Sequence, residues 1–517
     1  MPKHLDPRRV LRMHRKKLAL ALAVTATAAV VIPTASAAME DTPLAPESLR
    51  WGPCPEQDDT RKAGAPDADA ASRLECSTLK VPLDYRHPEG RKIDIAISRL
   101  ASKDPSKRRG ALLTNPGGPG APGLDYPALL AASGLPKSVL DSYDVIGLDT
   151  RGVGRSTPVT CDQTKPQLQR GAFPAYAHSA ADVTKEATYA RTIARQCATS
   201  RSAWMLPHTT TANVARDMDR IRAALGEDKI SYLGASYGTR LGAVYAELFP
   251  DRGDRIVLDS NVGAGGYDRT AFRQFARGMH DRFPDFAAYA AKHPEYGLGR
   301  TPAQVTATYY RLAARLTAHP VGTTDGMQFR GLTFERLYSN ASLPTLAKSW
   351  QALSQGKPVP PSSPLDDEAE NSAAARHHVV CADSRWSRSL NTYQRAAAAD
   401  RQRYPMLGGS TGSITPCAFW PRKGIEKQVT VGDRGPSNVL MVQNERDPGT
   451  PLASAKTLRR ALGQRARMVT ADQGGHGLYP FGTNTCANDA TTTFLTTGHR
   501  PAEDLNCTAE PDAEPRG

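Results

Sequence analysis

The chain lacks most of what would assign it to several large functional classes. Apart from one apolar run at residues 18–32, its 517 residues hold no stretch near the roughly 20 apolar residues that span a bilayer. No two cysteines stand at C-x-x-C spacing, which argues against a zinc site. No G-x-x-x-x-G-K-[ST] loop occurs, and neither a phosphate cradle nor any cofactor or metal is implied. No internal repeat is visible. The formal net charge is +14, but Lys/Arg runs interleaved with aromatic residues are missing, so the charge reads as a solvated basic surface and not as a nucleic-acid face.

What is present begins with an export pattern. Arg8, Arg9, Arg12, Arg15, Lys16 and Lys17 precede the apolar run, and Ala35-Ser36-Ala37 follows it. This order predicts a secretory signal over residues 1–37, cleaved after Ala37 to leave an extracellular protein with no membrane attachment. Arg8-Arg9 also permits a twin-arginine reading. That route exports folded chains from a reducing compartment, whereas this chain is rich enough in cysteine to want disulfides, so the general secretory route is expected. Loss of the signal lowers the net charge to roughly +8. The eight cysteines predict four disulfides; among roughly a hundred possible connectivities the simplest joins neighbours, Cys54–Cys76, Cys161–Cys197, Cys381–Cys417 and Cys486–Cys507.

Residues 38–75 read as an irregular N-terminal segment or short pro-segment. From residue 76 to 261, strand patterns near 80–85, 93–97, 111–114, 143–148, 230–233 and 255–259 alternate with helical patterns near 126–132 and 214–225. The first two form an antiparallel start. The remainder predicts an α/β fold with a mostly parallel central sheet and helices on both faces. The rhythm stops over residues 262–435, which carry helical patterns and a Pro-rich loop, and this stretch reads as a large, mainly helical cap insertion. It resumes at 436–507, and 508–517 form a tail.

Gly234-Ala235-Ser236-Tyr237-Gly238 closes one strand run and opens an amphipathic one, the setting of a strained turn that presents a nucleophilic serine. A serine hydroxyl needs a histidine base, and the histidine needs an acid to hold its tautomer. Asp447 follows a strand and precedes Pro448, which excludes helical geometry at the carboxylate; His476 lies in Gly474-Gly475-His476-Gly477, where glycines permit a tight loop. Ser236, Asp447 and His476 are therefore the expected catalytic residues. Asp259 is the rival acid, with a loop-pinning role as its alternative. His208, His377 and His378 read as surface or packing residues. Gly118, in the glycine-rich loop after the 111–114 strand, and Tyr237 are the expected backbone donors to the oxyanion.

Together these segments resemble the α/β-hydrolase peptidases related to prolyl aminopeptidase, and within them the secreted bacterial tripeptidyl aminopeptidases. The resemblance rests on Asn115-Pro116-Gly117-Gly118-Pro119-Gly120, Asp149-Thr150-Arg151-Gly152-Val153-Gly154-Arg155-Ser156, the serine turn with Thr239, Arg446-Asp447-Pro448-Gly449-Thr450-Pro451 and the His476 loop, in that order. It implies a serine exopeptidase that acts on peptides with free N-termini and releases short fragments, typically tripeptides. Related enzymes hold the substrate ammonium with cap carboxylates. Val380 stands before Cys381 where some tripeptidyl enzymes look to have Glu, which leaves Asp383, Glu368 and Glu370 as the expected anchors. The same triad under an apolar cap would be a carboxylesterase; a non-catalytic binding protein would leave the triad without use.

Overall fold

The alternation of strand and helix patterns is realised as a ten-stranded sheet. The computed structural model describes residues 49–55, 68–361, 365–421 and 426–510. Its strands are β1 (Gly52–Pro53), β2 (Leu74–Pro82), β3 (Lys92–Leu100), β4 (Gly110–Asn115), β5 (Tyr143–Leu148), β6 (Ile230–Ala235), β7 (Gly253–Asp259), β8 (Val439–Arg446), β9 (Ala466–Gly474) and β10 (Leu505–Cys507). They lie in the order β1-β2-β3-β5-β4-β6-β7-β8-β9-β10. The pairings from β1 through β2 and β3 to β5 are antiparallel. Those from β5 through β4 to β10 are parallel. The signal-sequence reading lies outside the described residues, as do much of the 38–75 segment and most of the tail.

β4, β5 and β6 are buried at every position because each alternate side chain meets a helix layer. Leu113, Ile146, Tyr232 and Leu258 share one core with Val214 and Met218 of the helix Thr211–Ala224 and with Leu241 and Val244 of Tyr237–Leu248. Leu112, Val145, Leu233 and Val257 share the other with Leu130 of Tyr126–Ala132 and Phe494 of Thr485–Thr497. Each such aliphatic side chain contributes about 1.5–3 kcal/mol on burial. This is the α/β-hydrolase fold.

Two short strands, β1 and β10, have too few residues to show a periodicity, and the sequence pattern did not reveal them. Each is stapled to its neighbourhood by a disulfide, Cys54–Cys76 and Cys486–Cys507. The other two disulfides are Cys161–Cys197 and Cys381–Cys417. In the chain-entropy account, loops of these lengths make each bridge worth about 3–4 kcal/mol.

Between β7 and β8 stand the helices Arg269–Lys292, Pro302–Ala318, Gly326–Arg336, Leu343–Ser354, Asp367–Asp383 and Leu390–Arg403. They enclose a core of their own around Trp350, Phe283, Phe286 and Phe329. A second excursion, between β5 and β6, was not expected. It carries the helix Ala180–Thr199, opened by a capping box of Ser179 and Asp182, whose Val183 and Ala187 pack on Tyr393 and Ala397. Register places Asn115 of β4 beside Gly234 of β6, so the loop after β4 and the turn after β6 leave the sheet side by side at its carboxyl edge.

Candidate active site

Ser236 occupies that turn with φ 56° and ψ −119°, a conformation that costs a non-glycine residue about 1–3 kcal/mol. The strain is held from both sides. Ser236 N–H donates to the Asp259 carbonyl at 2.9 Å, and the Thr239 N–H and hydroxyl both donate to the Ser236 carbonyl, at 2.9 and 2.6 Å. Gly117 packs so closely that a Cβ there would stand 2.6 Å from the Ala235 carbonyl oxygen and 2.8 Å from Ser236 Cβ. Only glycine permits this approach, and its φ of +100° also favours glycine. The next residue, Gly118, lines a cavity together with Ser236, and its N–H has no hydrogen-bond acceptor among the described residues. Tyr237 opens the following helix, where the first-turn N–H groups have no acceptor within the helix.

His476 and Asp447 meet at the same edge. His476 Nδ1 lies 2.9 and 3.0 Å from the two Asp447 carboxylate oxygens. The carboxylate also accepts the Gly449 and Thr450 N–H groups, each at 2.8 Å, and the Thr450 hydroxyl at 2.8 Å. This web fixes the orientation of the carboxylate and leaves His476 Nε2 for the cavity. His476 N–H donates to the Tyr338 carbonyl at 2.7 Å, so the cap helps to seat the loop. Burial opposes the charged imidazolium, but the charge and hydrogen bond of Asp447, with Asp259 behind it, outweigh burial and raise the His476 pKa. Ser236 Oγ is 3.5 Å from the Tyr267 hydroxyl and makes no hydrogen bond with His476 among the described residues.

Asp259 has the other role weighed for it. Its carboxylate accepts the N–H groups of Leu478 and Tyr479 at 2.8–3.0 Å and the Ser260 hydroxyl at 3.0 Å. Burial pushes its pKa up to about 6 despite these donors. It pins the His476 loop to the end of β7. Asp259→Ala is expected to strand buried N–H donors, lower stability by about 2–4 kcal/mol and loosen the loop, reducing activity. Thermal unfolding together with kcat tests this; an unchanged unfolding midpoint would contradict it.

A cavity of about 410 Å³ opens above Ser236 and His476. The cap and the 163–193 excursion close over it, and Phe173, Phe272, Phe275 and Phe334 form an aromatic wall with edge-to-face contacts. His377 lines it too; burial, then the nearby Arg376 charge, depress its pKa to about 3, so it is neutral.

Residues 404–507 match the family model for TAP-like proteins. The tripeptidyl aminopeptidase of Streptomyces lividans is 35% identical over 476 residues, covering 87% of this chain and 86% of that protein. The chain belongs to the tripeptidyl aminopeptidase family. Serine protease Hip1 of Mycobacterium tuberculosis is 29% identical over 497 residues, covering 89% and 91%. Carboxylesterase B of the same species is 31% identical over 452 residues, covering 84% and 86%.

For this serine hydrolase of the tripeptidyl aminopeptidase family, the expected anchors need correction. Asp383 does not line the cavity. It accepts the N–H of Thr211 at 2.7 Å and the Thr211 hydroxyl, and that hydroxyl also lies 2.7 Å from the Tyr237 phenol. It thus serves the start of the helix Thr211–Ala224, 172 residues away in sequence. Glu370 accepts the N–H groups of Cys161 and Gln163 at 2.9 and 3.2 Å, and Glu368 is exposed in the first turn of its helix, outside the cavity lining. The carboxylates that do line it are Glu186, Asp268 and Glu335. Glu186 pairs with Arg170 at 2.7 Å, and Asp268 caps the helix Arg269–Lys292 through the Ala271 N–H. Glu335, at the end of Gly326–Arg336, is the solvent-exposed one. No local pattern marked Glu335. Glu186 could have been reached through the Ser179–Asp182 capping box, which announces its helix. Among the described residues no helix is long and apolar enough to cross a membrane.

Proposed function

We propose that the protein is a secreted serine exopeptidase that releases short peptides, tripeptides in particular, from free N-termini through Ser236, Asp447 and His476. The observation that carries the proposal is the His476–Asp447 contact, held in one cap-covered cavity with a serine in a strained turn. Attack of Ser236 Oγ on the scissile carbonyl would pass the hydroxyl proton to His476 Nε2, while the Asp447 carboxylate stabilises the imidazolium. The Gly118 and Tyr237 N–H groups would hold the developing oxyanion, each worth about 3 kcal/mol. Return of the proton to the leaving amine breaks the peptide bond and leaves an acyl-enzyme, which water hydrolyses with His476 acting as base again.

Exopeptidase action also needs a negative group for the substrate ammonium, and Glu335 takes that role here, in place of Asp383, Glu368 and Glu370. Glu335→Gln is expected to raise KM for free-N-terminal peptides about tenfold, with a smaller effect on kcat, since a charge-assisted hydrogen bond is worth about 1.5–3 kcal/mol. An unchanged KM would remove Glu335 from the reading. The four disulfides, with the signal pattern, support export.

Mass spectrometry of a roughly ten-residue peptide during digestion tests the product length. Successive three-residue fragments from the N-terminus are expected; internal cuts would overturn the proposal. The aromatic wall and the carboxylesterase relative favour one second reading, an acyl esterase. That reading predicts hydrolysis of p-nitrophenyl acyl esters and none of free peptides.

A further inference from the structure

Five charged residues besides His476 line the cavity, and four have a role: Arg170 pairs with Glu186, Asp268 caps a helix, and Glu335 is the ammonium site of the exopeptidase reading. Arg376 has none. Among the described residues it makes no ion pair and its guanidinium no hydrogen bond; the groups that act on its charge are Glu335, Tyr267 and Tyr338. Burial lowers its pKa, and attraction to those three groups makes up only part of the deficit. An arginine stays charged under such conditions, so the cavity contains a cation whose hydrogen-bond donors are not used by the protein.

Its mounting is rigid. The helix Asp367–Asp383 crosses directly over the loop that carries Gly118: a Cβ on Gly120 would collide with the Ser372 carbonyl oxygen and stand 3.1 Å from the Arg376 backbone nitrogen. Arg376 lies one turn beyond Ser372 and so shares its side of the helix, over the loop that carries Gly118. Its charge is felt by Tyr267, whose hydroxyl lies 3.5 Å from Ser236 Oγ. A planar guanidinium carried on a backbone held in this way can match a carboxylate in a bidentate manner.

We propose that Arg376 is a specificity residue that receives a carboxylate of the bound peptide, next to the ammonium site. Taking peptides as the ligands rests on the exopeptidase reading. The carboxylate has two sources, an acidic side chain within the released segment or the free C-terminus of a short substrate, and the two arms of one experiment separate them. The first arm compares free-N-terminal tripeptide anilides carrying Asp against Asn at each position in turn. The second compares tetrapeptides with free and with amidated C-termini. Wild type, Arg376→Met and Arg376→Lys are measured as full chains, and the result is the charged-to-neutral ratio of kcat/KM within each variant, which does not depend on the fraction folded. In one arm the wild type is expected to favour the charged member about 10- to 100-fold. The ratio should fall to within about twofold of unity in Arg376→Met and be partly kept in Arg376→Lys. The same pairs are titrated by calorimetry into Ser236→Ala, with and without Arg376→Met. If the wild type cleaves no free-N-terminal peptide, the exopeptidase reading fails, while the ratio of dissociation constants still decides on Arg376. No preference in either arm, or a preference that survives Arg376→Met, overturns the proposal.

Discussion

Ser236→Ala is expected to lower kcat by about 10⁴-fold or more toward every substrate the protein accepts, peptide or ester. Among the described residues no other serine and no free thiol lines the cavity. The nearest hydroxyl, that of Tyr267, has its pKa pushed up to about 12, chiefly by burial, and stays protonated at neutral pH. The folded state should be nearly untouched, because the turn is held by backbone groups: the Asp259 carbonyl, the Thr239 donors and the close approach of Gly117. Alanine pays the same conformational strain as serine and loses only the hydroxyl. Thermal unfolding should therefore remain within about 2 °C of the wild type while turnover disappears. Residual turnover above about a tenth of wild type would move the chemistry elsewhere.

Asp447→Asn is expected to cost about 10⁴-fold in kcat, since the amide cannot both accept from Nδ1–H and stabilise the imidazolium. The pH profile gives the sign independently. Catalysis needs His476 neutral, and its pKa is raised above the ordinary 6.5, so the acid limb of kcat/KM should lie above pH 6.5, with activity lost as pH falls through it. Burial alone would depress that pKa, and the Asp447 charge is the first force acting against it. Removing the charge should shift the residual activity's acid limb to lower pH. A limb that stays in place would mean that Asp447 is not the partner that tunes His476.

The legible parts of this protein are those where backbone geometry restricts the residue type. The serine turn needs small flanking residues, Asp447 stands at a strand end sealed by Pro448, and His476 sits among glycines; each announces itself within five or six residues. Gly118 stands out in sequence for the same reason, and its role as an oxyanion donor is part of the proposal. Asp259 was ambiguous because a carboxylate after a strand suits either an acid or a pin, and only the Leu478 and Tyr479 N–H groups decide between them. The cap was visible as a loss of strand rhythm, but its chemistry was not. Asp383 looked like an anchor from its position after Cys381, yet its partner Thr211 comes from a distant helix. Glu335 and Arg376 lie on helices with little amphipathic periodicity, whose local pattern says nothing about which side chains will face a cavity closed by other elements. The excursion between β5 and β6 leaves a weak signal because its helix Ala180–Thr199 is predominantly polar in sequence and buries mostly small residues, Ala187, Ala190 and Ala194, with only Val183 and Ile193 as larger aliphatic ones.

The most direct test compares release of a chromogenic amine from a free-N-terminal tripeptide anilide and from its N-acetylated twin, with Ser236→Ala as blank. Turnover of the free peptide is expected, with at least about 100-fold slower turnover of the acetylated one because an ammonium must be held before the acyl group is positioned, and none in the blank. Equal turnover of both peptides, or hydrolysis of acyl esters with neither peptide cleaved, would contradict the exopeptidase reading.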